Sequence, residues 1–253
     1  MDSSIDLLHQ FNPAYRQDAY DVNLGSYGSP AFSQRFSPFT KATFRTGIQG
    51  YDDYLYQPSS LRYYDSYTPY TKLFHVQRTN GDMQDLRGVH SRNFTPFWNA
   101  AIRFNSMRVQ GGYLEQLNKQ TNIGLNTRFH SSSGRYRGYL SGIWNDLSNQ
   151  ENGGMADPEA FKNPETDNRL RLGVNLEKAF STYQTRAYTY DHFLFLGPEQ
   201  RDTVYEDRDT FLQRSIASPL QIHHQVSYQE KAYTYRDENL NETDSFYPAV
   251  LKD

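Results

Sequence analysis

Cysteine is absent from this chain of 253 residues, which excludes a disulfide framework, a thiolate metal site and a cysteine nucleophile together. No run approaches the roughly 18 consecutive apolar residues of a transmembrane helix, so a helical membrane protein is excluded as well. The opening, Met1 to Gln10, has neither the basic nor the apolar region of a secretory signal. On its own it reads as a processed or trimmed start, or as the start of a cytoplasmic protein. Charge of one sign is not in excess: the formal net charge is −3 and the isoelectric point about 6.2, which argues against a nucleic-acid surface and against an acidic tail. The G-x-S-x-G, G-x-x-x-x-G-K-[ST] and H-E-x-x-H patterns are all missing, and no enzyme is expected. Aliphatic residues are scarce too. The hydrophobic share is 36% and the mean hydropathy −0.86, whereas average soluble domains are about 45–50% apolar when glycine is counted.

What the chain has instead is rings: 21 Tyr and 16 Phe bring the aromatic share to 15%. A membrane β-barrel tolerates that balance. Its interior is polar, only one parity of each strand must be apolar, and aromatic residues collect at the two water interfaces. Residues 1–40, with Gly25, Ser26, Gly28, Ser29, Pro30 and Pro38 among aromatics, read as an irregular lead-in. Residues 41–253 read as barrel strands. The segment 41–56 is strand-prone, and Thr71–Arg78 and Met83–Ser91 flank Asn80-Gly81, a hairpin signal.

The middle of the chain alternates. Trp98, Ala100, Ile102 and Phe104 oppose Asn99, Ala101, Arg103 and Asn105; Ile123, Leu125 and Phe129 oppose Asn122, Asn126 and Arg128. Leu140 and Trp144 oppose Arg137, Ser141 and Asn145, with Ile143 the one misplaced residue, and Leu170, Leu172, Val174 and Leu176 oppose Arg169, Arg171 and Asn175. Strand side chains alternate between faces, so the pattern specifies sidedness and register together. Further strands are expected near 182–195 and 219–235, about eight in all. Long polar loops are expected at 150–168 and 197–218, on one rim, with short turns on the other.

Soluble antiparallel sandwiches alternate as well. The length of these runs points the other way, because membrane strands need about 9–11 residues against a usual 5–6. Arg103, Arg128, Arg137, Arg169 and Arg171 all fall on the polar parity, and arginine facing lipid at mid-depth would cost about 2–4 kcal/mol. The expected lipid-facing set is therefore Trp98, Ile102, Phe104, Ile123, Leu125, Phe129, Leu140, Trp144, Leu172, Val174 and Leu176. The expected lumen lining is Asn99, Arg103, Asn105, Asn126, Arg128, Arg137, Ser141, Arg171 and Asn175, its arginines favouring anions through fixed positive charge. His223 and His224 point to opposite faces of a strand, poor geometry for joint metal binding. The acids from Glu199 to Asp209 lack calcium-loop spacing.

Phe11-Asn12-Pro13, Leu24-Gly25-Ser26-Tyr27-Gly28-Ser29, Tyr70-Thr71-Lys72-Leu73-Phe74, Val89-His90-Ser91-Arg92-Asn93, and Ile143-Trp144-Asn145 leading to Glu151-Asn152-Gly153-Gly154 together resemble the Putative porin family of Bacteroidota. The resemblance spans nearly the whole chain. It implies an antiparallel transmembrane β-barrel of the outer membrane with a pore function and no catalytic residues. Members are longer and barrels usually end on an aromatic residue, whereas this chain ends Ala249-Val250-Leu251-Lys252-Asp253; the expectation is the open N-terminal portion of a barrel. The expected activity is passive diffusion of small polar solutes, with no cofactor, no metal and no nucleic acid. The expected partners are membrane lipid, the solutes, and other outer-membrane proteins or further copies of the chain. Two other functions stand beside it: a β-sandwich binding glycans through exposed aromatics, and a structural barrel in a secretion or uptake complex.

Overall fold

The structure, a computed structural model, describes residues 20–36, 38, 47–66, 68–78, 82–157, 159–160, 172–196, 220–239 and 247. A short hairpin comes first, β1 (Asp21–Asn23) and β2 (Ala31–Ser33). Then follow β3 (Tyr70–Gln77), β4 (Met83–Thr95), β5 (Trp98–Gln110), β6 (Leu117–His130), β7 (Tyr136–Glu151), β8 (Ala179–Leu196) and β9 (Leu220–Asp237). These seven form one antiparallel sheet in chain order. Among the described residues β3 and β9 each pair on one side only, so the sheet they form is open. Strands β4 to β9 have 13 to 18 residues, well past the usual soluble length of about 5–6 and long enough for a tilted membrane crossing.

Every second residue of β5, β6 and β7 lies on the same face. Trp98 stands opposite Phe129, Ile102 opposite Leu125, Phe104 opposite Ile123, and Ile123 opposite Trp144. The Asn80-Gly81 signal also marks a real connection, since Gln77 pairs with Gln84 across it, although residues 79–81 lie outside the described residues.

Three expectations fail. Described residues 47–56 of the strand-prone 41–56 run are irregular, with a turn of 3₁₀ helix at Asp52–Tyr54. There Tyr51 and Tyr54 are buried as core rather than paired in a ladder. The run around Leu172 to Leu176 is a loop with a single bridge, Met155 to Val174. The long connections do not share a rim. Residues 152–178 join β7 to β8 and residues 197–219 join β8 to β9. Successive connections of an antiparallel meander must fall at opposite ends, so one lies at each rim.

Among the described residues, one sheet face is covered and the other bare. Residues 20–36 and 47–66 lie along the covered face, where Tyr27, Tyr51, Tyr54 and Leu55 pack with Met107, Val109, Leu147 and Tyr183 as the principal core. Two glycines permit that approach. Gly28 holds φ +89°, a left-handed conformation, and a side chain there would collide with Met107 and Asn118. A Cβ at Gly124 would lie 2.9 Å from the Leu61 side chain.

Candidate functional site: the two faces of the sheet

On the bare face, apolar residues form a band. Trp98, Ile102, Leu125, Leu140, Ile222 and Val226 are exposed there, with Phe104, Ile123, Phe129 and Trp144 half-buried among them. Polar tips inside the band bond to one another. The Trp98 indole donates to Thr127 Oγ1 at 2.7 Å, the Trp144 indole to Tyr188 at 3.1 Å, Tyr136 pairs with Tyr190, and His192 Nε2 lies 3.1 Å from His224 Nδ1. In a medium without water, satisfied donors of this kind are required. Rings also run across neighbouring strands: Phe94 stacks on Trp98 at 4.8 Å, Tyr136 meets His192 at 5.8 Å, and Trp144, Tyr188 and Tyr228 follow in sequence.

The band ends obliquely. Its last apolar residue is Leu86 on β4, Phe104, Ile123 and Trp144 on β5 to β7, and Tyr188 and Tyr228 on β8 and β9; Gln84, Ser106, Thr121, Asp146, Arg186 and Glu230 follow. Because Leu86 pairs with Ser106 and Trp144 with Arg186, the edge steps two residues between β4 and β5 and two more between β7 and β8. At about 3.3 Å per residue and about 4.8 Å between strands, four residues over the five intervals from β4 to β9 make a slope of about 29°. Membrane barrel strands tilt by somewhat more, about 35–45°.

The covered face has a different chemistry. Side-chain amides stand at alternate positions and donate to main-chain carbonyls of the overlying segment. Asn118 reaches Tyr27 at 3.0 Å, Asn122 reaches Tyr54 at 2.7 Å, Asn126 reaches Arg62 at 2.8 Å and Asn149 reaches Gly28 at 3.1 Å. Gln120 also donates to Tyr54, while Asn145 both donates to the Tyr56 carbonyl and accepts from its N–H. Near one end, Asp85 is fully buried and held by Arg87 and by the Tyr27 hydroxyl, which donates at 2.8 Å. Between residues 47–51 and the wall at β7 to β9 lies a cleft of about 670 Å³, lined by Tyr51, Glu151, Ser181, Tyr233 and Tyr235.

Of the residues expected to line the lumen, Asn99, Arg103, Asn105, Asn126, Arg128, Arg137 and Ser141 all sit on the covered face. The arginines do not form a free band. Arg103 lies 4.5 Å over the Tyr56 ring and donates to the Ser60 carbonyl, Arg128 pairs with Asp65 at 2.8 Å, and Arg137 lies over Phe195. Arg169 and Arg171 lie outside the described residues. Asn175 is not on a strand; it staples its loop by donating to the carbonyls of Gly153 and Met155. Leu172, Val174 and Leu176 are likewise no part of the bare face, because the loop turns Leu172 and Leu176 inward to near-complete burial. The misplaced Ile143 is explained. It is fully buried on the covered face against Leu61 and Ala187. His223 faces Asp191 and His224 faces His192, on opposite faces, and no cluster of three metal-ligating residues occurs among the described residues. The amide ladder escaped the alternation argument, although Asn118, Gln120, Asn122 and Asn126 recur with period two.

A meander of long strands with an oblique apolar band on one face and an amide-lined opposite face is the open wall of a β-barrel. The chain belongs to the Putative porin family, whose model matches residues 1–253. No curated protein and no solved structure matches it.

Proposed function

We propose that this chain is the wall of an outer-membrane, porin-like channel that lets small polar solutes diffuse passively and performs no chemistry on them. One observation carries the reading: across β5 to β9 the bare face is apolar over strands long enough to span a bilayer, and polar tips within that band bond to one another. Lipid is then the partner of the bare face and the lumen lies on the covered side. A glycan-binding sandwich would need a second extended sheet over one face, and among the described residues the covering segment is irregular apart from the three-residue strands of the β1–β2 hairpin.

The channel needs no metal or cofactor in this account, and its lining offers amides and hydroxyls to hydrated solutes. Asp65 neutralises Arg128, whereas Arg103 rests on the neutral Tyr56 ring and Ser60 carbonyl and keeps its charge, so only a weak preference for anions is expected. The test is planar-bilayer recording of the full-length protein with a series of neutral polar solutes of increasing size. Discrete conductance steps and a size cut-off are expected; a bilayer that stays silent at every protein concentration refutes the assignment.

A further inference from the structure

The segment that covers the wall runs from one rim to the other. Its contacts climb β6 step by step: Tyr27 at Asn118, Tyr54 at Asn122, Leu61 at Gly124, Arg62 at Asn126 and Asp65 at Arg128. Most of the amide grip falls on main-chain carbonyls, which every residue type offers, so the ladder holds the path of a backbone rather than a particular sequence. Nothing covalent joins segment and wall except the chain itself, because the protein has no cysteine.

We propose that the described residues between 20 and 66 form a plug gripped through its main chain, which narrows the lumen while seated and widens it when the amide ladder lets go. The inference rests on the channel reading above. Each ladder bond shifts the seated-to-released ratio by roughly two- to tenfold, the usual net effect of one hydrogen bond. Several lost together release the plug. The seated form is stabilised further by the Tyr27, Tyr51 and Tyr54 core, so release is rare in the unaltered protein.

The experiment is single-channel recording of the full-length protein in planar bilayers, beside a variant carrying N122A, N126A, N145A and N149A. A second pair of proteins carries S26C and N118C, whose present side chains are 2.8 Å apart, with and without the four alanines. Heat-modifiable migration in detergent gels checks that each barrel is folded. The ladder variant is expected to spend at least about 15-fold more time in a larger conductance state, since four lost amides at no less than about twofold each multiply. Oxidising the cysteine pair should return it to the unaltered level, and a reductant should reverse that. If the ladder variant does not fold, the cysteine pair alone decides: oxidation should abolish the rare large openings. Channels that conduct identically in all forms would overturn the plug and leave the porin reading standing. Silence in every form would overturn both.

Discussion

A primary amide offers two donors and a carbonyl acceptor on a short stem, and on this wall it does what a neighbouring strand would do: it satisfies the main chain of an irregular segment. Asn145, which both donates to and accepts from Tyr56, is the fullest case. Asparagine on a polar parity is legible as such, but a solvated amide and a gripping amide look alike in sequence, since the distinction lies in what covers them. Ile143 was the clue available, an apolar residue on a wet face that only a covering segment explains. Ile143→Ala should cost roughly 2–5 kcal/mol, as large-to-small changes at fully buried sites do, while Leu125→Ala on the bare face should cost clearly less; urea unfolding from bilayers measures both. Asp65 gives a pH handle. Partial burial pushes its carboxyl up, but the hydrogen bond and charge of Arg128 outweigh this and hold it below the ordinary carboxylate range. A depressed folded value means that the pair stabilises above the unfolded value of about 4 and is lost as pH falls through the folded one. Asp65→Asn should abolish that acid-side loss, read as protease cleavage of the segment against pH.

At the scale of elements, β5, β6 and β7 were readable because apolar and polar residues alternate over 98–105, 122–130 and 136–145, the period-two signature of a strand with two unlike faces. The run 169–177 alternates over a similar length, so the sequence alone did not separate it from these strands. The loop won because Asn175 could bond to two carbonyls of the facing turn and both leucines could be buried at once. Strand propensity in 41–56 likewise gave way in its described part, where Tyr51 and Tyr54 gain more from burial against Leu147 and Tyr183 than from an edge pairing. The oblique band makes a depth prediction. Ile102→Arg, inside it, should destabilise membrane folding by about 2–4 kcal/mol, whereas Ser106→Arg, two residues past its edge, should cost about 0–1 kcal/mol. Folding equilibria in lipid vesicles decide this; equal costs at both positions would mean that the band is not the lipid contact.

For the whole molecule, the family and the all-β barrel architecture followed from composition, strand length and motif order, whereas the covering segment did not, because its path depends on contacts between residues up to 121 positions apart. Among the described residues both outer strands of the sheet leave one edge unpaired, and bare backbone groups are untenable in lipid. Closure therefore requires each edge to gain a partner strand, and cysteine pairs that cross-link β3 and β9 to their new neighbours in membranes would identify it. The central claim is that even-numbered positions of β5 to β9 split by face from odd ones, one meeting lipid and the other the lumen on odd or even parity as the register sets. The absence of cysteine allows the most direct test: single cysteines at Ile102, Leu125 and Leu140, and at Asn105, Asn126 and Ser141, each labelled with a fluorophore and quenched by nitroxide lipids. The account predicts strong quenching at the first three positions and little at the second three. Equal quenching of both sets, or none in either, would contradict it.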